Sequence, residues 1–330
     1  MRSYFITGGT GFIGRAIVRR LLGQGVDGPA TITLLTRDAA QFARHHSGIA
    51  AHPRVMLLEG DVRALPTTTA RFTDIIHAAT DANDRLQADR LRYLSTIADG
   101  TKASLELAAS CGCERFVMVS SGAIYGDVSA HVRGVAEAVE SAPHLMDVAA
   151  VYGHGKRYAE HLCALYAAEF RIEVKIARVF AVIGDEMPLS GQYAAGNFIR
   201  DALDPLKDSI VVKGDGTPLR SYLNVVDVAD WIVRILDQGR PVCPYNVGSD
   251  TALTICDLAS LVARLVSPEK KVLVSQPPEH EGRRSAYLPD CSLIKGELGV
   301  SETISVAESI VRVRDYIVNR PSRLTDALLD

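Results

Sequence analysis

The sequence predicts an α/β protein with a doubly wound parallel sheet and a smaller C-terminal α/β lobe. Two observations carry this prediction. A glycine-rich turn stands between the first apolar run and the first helical pattern, and short strand-like runs then alternate with segments of helical periodicity. Such alternation is typical of βαβ units, whose strands lie parallel. The composition agrees, because 47% of the 330 residues are hydrophobic and 23% are charged, which suits a sizeable core.

The predicted strands of the first half are short apolar runs. They occupy residues 3–6, 31–36, 54–58, 74–78, 115–119 and 174–179. Beyond residue 183, Gly and Pro interrupt the pattern, until 221–236 indicates a strand and a helix that return to the main sheet. Helices follow near 253–266 and 305–318. We expect a larger domain of residues 1–180 plus 221–245, a smaller lobe of 181–220 plus 246–320, and a C-terminal tail of 321–330.

The glycine-rich turn predicts what the larger domain binds. Gly8 suits a tight turn, Gly11 lets the backbone approach a pyrophosphate, and Gly14 lets the helix pack against the sheet. Phe12 and Ile13 open the helix, where unpaired N–H groups face an anion. Because a strand precedes the turn and a helix follows it, the sequence predicts a Rossmann site for NAD or NADP.

The choice between NAD and NADP depends on the end of the second strand, where a residue meets the adenosine ribose. A carboxylate there would favour NAD, whereas Arg37 can bind a 2′-phosphate through two hydrogen bonds and favours NADP. Asp38 follows it and could turn back to a ribose hydroxyl, which leaves NAD open. Asp61 and Val62, just after the third strand, are expected beside the adenine.

The predicted catalytic residues are Ser121, Tyr152 and Lys156. Tyr152 and Lys156 share one face of a predicted helix, and Ser121 follows a strand at the sheet edge where α/β proteins bind ligands. An ammonium close to Tyr152 should lower its pKa from about 10, so that the phenol can exchange a proton near neutral pH. Ser121 would hydrogen-bond the reacting oxygen, while a nicotinamide carries the hydride. This set suits interconversion of a carbonyl and an alcohol.

Composition argues against several other classes of function. The net charge of -3 and the pI of about 6.3 give no basic excess for nucleic acid. No apolar run is long enough to span a bilayer and no cleavable leader is evident, so we expect a cytoplasmic protein without a membrane partner. The six cysteines are scattered, and the adjacent His45 and His46 would point apart on a helix, so no metal site is expected.

Further motifs follow these residues in order along nearly the whole chain. They are His77-Ala78-Ala79, the segments 120–126 and 178–180, and the segment 220–227. With them, the chain resembles the extended short-chain dehydrogenase/reductase family, in its nucleotide-sugar epimerase, dehydratase and reductase branch. The resemblance implies that Ser121, Tyr152 and Lys156 are the catalytic trio. It also implies that Ala78 and Ala79 line the cofactor site, and that Tyr152 and Lys156 contact the nicotinamide end of the cofactor, with Lys156 on its ribose.

The resemblance further implies that the smaller lobe binds a nucleotide-diphosphate sugar. Asn197 and Arg220 match positions that grip the diphosphate, and Arg283 matches one that lies against the diphosphate or the base. Ser121 and Gly122 would meet the sugar.

Family members commonly form homodimers through a four-helix bundle, and the helices expected here are residues 89–111 and 152–169. Packing against the sheet accounts for one apolar face of each helix. A second apolar face would require a partner.

One departure from the family pattern reduces the number of possible reactions. Its dehydratases carry an Asp-Glu pair after the catalytic hydroxyl, where this chain has Gly122 and Ala123. Without an acid and a base at that place, dehydration is disfavoured. We therefore expect a reductase of nucleotide-linked 4-keto-6-deoxysugars that exchanges NADPH. The alternative is a 4-epimerase with tightly bound NAD+, followed by a dehydratase and by a non-catalytic NADP-binding regulator.

Overall fold

The computed structural model describes residues 2–25, 28–80, 89–129, 133–191, 193–277 and 285–320. Its strands are β1 (Ser3–Thr7), β2 (Thr31–Thr36), β3 (Val55–Glu59), β4 (Asp74–His77), β5 (Arg115–Ser121), β6 (Glu173–Val179), β7 (Val182–Ile183), β8 (Ser209–Val212), β9 (Leu219–Arg220), β10 (Leu223–Asn224), β11 (Pro244–Val247), β12 (Leu253–Thr254), β13 (Lys271–Val274) and β14 (Ala286–Tyr287). Its helices are α1 (Phe12–Leu22), α2 (Ala39–His45), α3 (Ser47–Ala50), α4 (Arg90–Cys111), α5 (Val151–Glu169), α6 (Ala194–Leu203), α7 (Val225–Gln238), α8 (Ile255–Val266), α9 (Ser292–Leu298) and α10 (Val306–Val318).

Seven of the described strands form one parallel sheet, in the order β11-β6-β5-β4-β1-β2-β3. All the strands predicted in the first half of the chain belong to it, so the predicted doubly wound α/β fold is confirmed. From β1 the chain winds outward to β2 and β3, and then returns to β4 on the other side. Open α/β sheets bind ligands at such a change of direction, which places a site at the carboxyl ends of β1 and β4.

One detail of the predicted topology is wrong. The sequence predicts that 221–236 returns a strand and a helix to the main sheet, but β10 pairs with β7 outside it. Asn224 ends β10 at once, because its side chain caps α7 by accepting a hydrogen bond from the N–H of Val226 at 2.9 Å. The helix α7 does return and packs against α1, β5 and β6, whereas the strand added to the main sheet is β11.

Separate apolar clusters cover the sheet and fill the smaller lobe. One face of the sheet packs against α1 and α7, where Trp231 is buried, and the other packs against α4 and α5. A further cluster joins α6, α8 and α10, which lie within the predicted smaller lobe, while the domain boundaries themselves stay a prediction. Within the described residues, no helix is both long and apolar enough to cross a membrane.

Candidate active site

The glycine turn between β1 and α1 forms a cradle whose glycines are needed for different reasons. Gly8 has a φ of +70°, and a Cβ there would lie 2.5 Å from the carbonyl carbon of Ala78. A Cβ on Gly14 would overlap the carbonyl oxygen of Gly8. A Cβ on Gly11 would meet only that oxygen, at 3.3 Å, and α1 begins there without a side-chain cap. The open space and the uncapped N–H groups fit a pyrophosphate.

A cleft of about 540 Å³ lies beside this turn, at the carboxyl ends of β1 to β4. It is bordered by every residue predicted to contact the cofactor, apart from the catalytic pair. These residues are Gly8, Gly11, Phe12, Ile13, Gly14, Arg37, Asp61, Val62, Ala78 and Ala79. The smaller lobe contributes Pro188, Ser190, Gly191 and Tyr193, which sequence analysis missed. The volume is in the range of small-molecule and cofactor sites.

Near the end of β2, arginines border the cleft, and the nearby carboxylates already have hydrogen-bond partners within the protein. Arg37 is exposed on the cleft wall. Asp38 does not line the cleft, because it caps α2 by accepting a hydrogen bond from the N–H of Gln41 at 2.7 Å. Asp61 binds Arg63 at 2.6 Å, and the hydrogen bond from Arg63 lowers the pKa of Asp61 to about 2. Although Asp38 follows β2 in the sequence, its carboxylate does not reach the cleft. This end of the cleft therefore suits an anionic group.

The structure brings the three predicted catalytic residues together at the carboxyl end of β5. Ser121 is the last residue of that strand, and Tyr152 and Lys156 lie in the first turns of α5. The Tyr152 phenol hydrogen-bonds with Ser121. The Lys156 ammonium donates to Thr80 Oγ1 at 2.6 Å and to the carbonyl oxygen of Val119 at 2.8 Å. Because Thr80 lines the cleft, Lys156 links the catalytic residues to the predicted cofactor site.

The predicted lowering of the Tyr152 pKa by Lys156 is wrong for this structure. Burial raises the pKa of Tyr152 to about 12, and the hydrogen bond with Ser121 offsets only part of that rise. The Lys156 ammonium lies 5.9 Å from the centre of the Tyr152 ring, because hydrogen bonds to Thr80 and β5 hold it. Burial lowers the pKa of Lys156 itself to about 8, although Glu160 acts to raise it. At neutral pH the phenol keeps its proton.

A partly buried carboxylate that sequence analysis missed supports the end of β5. Glu160 lies one turn after the catalytic lysine on α5. It accepts hydrogen bonds from Ser120 Oγ at 2.5 Å and from the Arg178 guanidinium at 2.8 Å. Arg178 also donates to the Tyr125 hydroxyl at 2.7 Å. Because α5, β5 and β6 each contribute to this network, it fixes the strand end that carries the catalytic serine. The helical spacing of Glu160 from the catalytic tyrosine and lysine was the available signal.

A second tyrosine, Tyr287, faces the catalytic residues, and sequence analysis missed it. It hydrogen-bonds with Ser121, and its ring centre lies 4.7 Å from that of Phe180. The pairing of β14 with β9 places it opposite Arg220. Gly122 is buried beside this pair, since a Cβ there would run into the Phe180 ring. Because β14 has only two residues, no periodicity in the sequence marks this tyrosine.

Two of the other predicted substrate residues, Asn197 and Arg220, lie in different parts of the smaller lobe. Asn197 donates to the carbonyl oxygen of Gly191 at 2.8 Å and lines a second cavity, of about 600 Å³, together with Lys207. Gly191 borders both cavities. Among the residues that the structure describes, Arg220 has no carboxylate partner, and burial lowers its pKa. A half-buried guanidinium of this kind suits a phosphate. Arg283 lies outside the described residues.

Each member of the histidine pair contacts a residue four positions earlier in the chain. The Nδ1 of His45 lies 2.8 Å from the carbonyl oxygen of Gln41 on the same helix, and the ring of His46 packs against Phe42. Across the described ranges, no group of three or more histidine, cysteine or acidic side chains comes together to hold a metal ion.

Sequence comparison relates the chain to known enzymes. The model of the NAD dependent epimerase/dehydratase family matches residues 4–248. UDP-glucuronic acid decarboxylase 4 of Arabidopsis thaliana is 28% identical over 313 residues, which cover 94% of this chain and 68% of that protein. UDP-glucuronic acid decarboxylase 3 of the same plant is 28% identical over 307 residues, which cover 92% of this chain and 86% of that protein.

Solved structures of lower identity share the fold. A dTDP-glucose 4,6-dehydratase of Streptomyces venezuelae, crystallised with NAD, is similar with a TM-score of 0.82 at 24% identity, and the match covers 99% of this chain and 100% of that one. A UDP-glucose 4-epimerase of Thermotoga maritima, crystallised with UDP-glucose, gives a TM-score of 0.79 at 20% identity, with 96% and 99% covered.

Proposed function

Because the chain belongs to the NAD dependent epimerase/dehydratase family, we propose that it is a reductase that acts at C4 of a nucleotide-diphosphate sugar. The favoured substrate is a 4-keto-6-deoxysugar linked to a nucleoside diphosphate, and the favoured hydride donor is NADPH. The observation that carries this proposal is the meeting of Ser121, Tyr152 and Lys156 beside a cleft whose glycine turn fits a pyrophosphate.

Each catalytic side chain has a distinct task in this reaction. When bound, the nicotinamide supplies a hydride to the sugar carbon. Tyr152 donates its phenolic proton to the carbonyl oxygen as that oxygen becomes an alcohol. Ser121 hydrogen-bonds the same oxygen, Lys156 holds the ribose of the nicotinamide, and solvent then returns a proton to the phenolate. Hydride and proton together supply the two hydrogens that the reduction needs.

The protonation state of Tyr152 suits the proton donor of a reduction. Its pKa, raised to about 12, keeps on the phenol the proton that a ketone requires. Oxidation of an alcohol would first require the phenolate as a base. Gly122 and Ala123 place no carboxylate directly after Ser121, so the acid and base of a dehydration are missing at that position.

The cations on the cleft wall support NADPH as the donor. Arg37 and Arg63 both border the cleft where β2 and β3 end, and Asp38 is bound to the start of α2. A 2′-phosphate at this place would gain charge-assisted hydrogen bonds from a guanidinium. A ribose with two free hydroxyls would lack the carboxylate that usually receives them.

A 4-epimerase that keeps NAD+ bound is a second candidate. One structural neighbour is a UDP-glucose 4-epimerase, and other structural neighbours were crystallised in complex with NAD. In that reaction the Tyr152 phenolate would remove the proton of the C4 hydroxyl and later return it.

Identification of the cofactor separates the two candidates. The freshly purified protein is denatured, and any released dinucleotide is identified and counted by chromatography and mass. A protein that emerges empty, binds NADPH more tightly than NADH and oxidises it with a nucleotide-linked 4-keto-6-deoxysugar supports the reductase. One equivalent of NAD+ per chain, with interconversion of C4 epimers and no net NADPH oxidation, would replace it by the epimerase. UDP-glucuronic acid is tested as a further substrate, because the plant relatives are named UDP-glucuronic acid decarboxylases.

We also propose that two chains pair through α4 and α5. Leu105 and Ala108 are buried against the sheet, yet Leu91, Tyr158 and Leu165 on these helices are 82%, 50% and 48% exposed. They provide the second apolar face that a four-helix bundle would cover. Light scattering should give the mass of a dimer, and Leu165→Glu should shift it toward the monomer. A wild-type monomer at micromolar concentration would contradict this pairing.

A further inference from the structure

Glu186 joins the smaller lobe to the helix that follows the glycine turn. Its carboxylate binds Arg15 at 2.5 Å and Arg19 at 2.6 Å, and its side chain is only 6% exposed. Burial acts to raise its pKa, but the two arginines outweigh burial and lower the pKa to about 2. The group is therefore charged throughout the physiological range. We refer to Arg15, Arg19 and Glu186 as the clamp.

The backbone at Glu186 has a conformation that needs support. Its φ of 64° lies in the left-handed region, which residues other than glycine seldom adopt. Such a conformation persists when surrounding contacts determine it. Here the support comes from the clamp on one side and from the buried side chain of Met187 on the other. The clamp therefore fixes the path of the chain after β7.

The clamp connects two walls of the cofactor cleft. Arg15 also donates to the carbonyl oxygen of Thr10, inside the glycine turn, at 2.6 Å. From Glu186 the chain continues into a segment that we call the strap, residues 184–191. Pro188 and Ser190 of the strap border the same cleft as the turn. A movement of the strap away from the turn would therefore have to break the ion pairs of Glu186.

We propose that the clamp holds the strap across the dinucleotide cleft and so sets the rate at which the bound cofactor leaves. This inference rests on the proposed use of the cleft by a nicotinamide dinucleotide. In a reductase the cofactor must exchange in every turnover, so the clamp would open once per cycle. In an epimerase the same ion pairs would keep NAD+ in place between turnovers.

The rate of cofactor dissociation tests the clamp without a sugar substrate. The full-length protein is loaded with NADPH, or with NADH if that binds more tightly, and the dinucleotide is chased with excess oxidised cofactor in a stopped-flow fluorimeter. Glu186→Gln should raise the dissociation rate about tenfold or more, because a neutral amide gives up both ion pairs. Dissociation from the wild type should accelerate with salt, whereas dissociation from the variant should respond less.

Two matched controls identify the cause of any change. Asp185→Asn removes a charge from the neighbouring, exposed position of the strap and should leave the rate unchanged. Arg19→Gln should raise the rate by less than Glu186→Gln, while Arg20→Gln, whose arginine binds Asp230 instead, should not. If Glu186→Gln does not fold, the comparison of the Arg19 and Arg20 variants decides.

The outcomes separate the clamp from the proposed reaction. Equal dissociation rates in the wild type and the clamp variants would contradict the proposed role of the clamp and would not affect the proposed reductase activity. Faster dissociation from the clamp variants, together with no reduction of any keto sugar, would retain the clamp and overturn the reductase. A folded wild type that binds neither NADPH nor NADH would overturn both.

Discussion

Tyr287 and Tyr152 converge on one hydroxyl, because both phenols hydrogen-bond with Ser121. They come from different parts of the fold, Tyr152 from α5 and Tyr287 from β14. The Lys156 ammonium lies 5.9 Å from the ring centre of Tyr152, whereas Tyr287 stands opposite Arg220. Two chemically similar groups thus have different charged neighbours, and removing each hydroxyl separately tests which one transfers the proton.

Tyr152→Phe should lower kcat about 10²- to 10⁴-fold, the usual contribution of a positioned proton donor. NADPH binding, measured by fluorescence titration, should stay close to that of the wild type. Tyr287→Phe is the matched control, and we expect a loss of about tenfold or less from one missing hydrogen bond. A Tyr152→Phe protein with normal turnover, or a greater loss from Tyr287→Phe, would reverse the assignment.

Lys156 should determine the alkaline side of the pH profile. Burial lowers its pKa to about 8, so above that pH the site loses the ammonium that donates to Thr80 on the cleft and that we propose holds the nicotinamide ribose. We expect kcat/KM for reduction to fall by up to about tenfold per pH unit above pH 8, as for a single ionisation. Lys156→Met should remove this limb and weaken NADPH binding. Thr80→Val, which removes an acceptor of the ammonium but keeps the ammonium itself, should keep the limb. A wild-type profile that stays flat to about pH 9.5 would count against this role.

Arg37 should distinguish the two dinucleotides. If it binds a 2′-phosphate, Arg37→Ser should raise the Kd for NADPH about tenfold or more, because charge-assisted hydrogen bonds are lost. The Kd for NADH should change little. Arg44→Ser removes an exposed arginine of α2 that does not line the cleft and serves as the control. Isothermal titration of the wild type and the two variants with both dinucleotides measures the six Kd values, and an equal loss for NADH and NADPH would rule out recognition of the phosphate by Arg37.

His77 should make the protein sensitive to mild acid. Its buried ring lies 2.8 Å from Thr7 Oγ1 and 3.1 Å from Ser104 Oγ. Burial, and then the charge of Lys156, lower the pKa of His77 from 6.5 to about 3. The unfolded chain binds this proton below about pH 6.5, and the folded protein does not until about pH 3. The contribution to stability is therefore complete above pH 6.5 and is lost as the pH falls, by up to about 1.4 kcal/mol per pH unit.

Urea denaturation at several pH values between about 5 and 7 measures this loss. The acidic groups with lowered pKa values, such as Asp61 and Glu186, begin to affect stability only at lower pH, near the ordinary pKa values of carboxyl groups. His77→Asn should be less stable at neutral pH but should show a smaller decrease across this window. Parallel curves for the variant and the wild type would show that another group causes the acid sensitivity.

The main sheet and the catalytic trio could be predicted because their signals are local. Apolar runs gave the strands, and the glycine spacing gave the turn that precedes α1. Tyr152 and Lys156 lie one helical turn apart, so their spacing alone placed them on one face. Each of these inferences needed only residues close together in the chain.

The remaining contacts join distant segments and leave no local signal. Tyr287 reaches Ser121 only because β14 pairs with β9, and Glu186 meets Arg15 only because the chain has left the main sheet after β6. The direction of the Lys156 ammonium depends on Thr80, which no spacing rule connects to it. That is why the predicted effect on the Tyr152 pKa was wrong although the residues themselves were brought together.

The position of β11 has a consequence for the order of synthesis. It is the last strand of the main sheet along the chain, yet it forms one edge of that sheet beside β6. The ribosome therefore releases β7 to β10 and α7 before the strand that covers β6 exists. Until then, the backbone N–H and C=O groups along one side of β6 are open to strands of other nascent chains. Chains that stop before Pro244 should accumulate as aggregates, and the full-length protein should depend on chaperones at high expression.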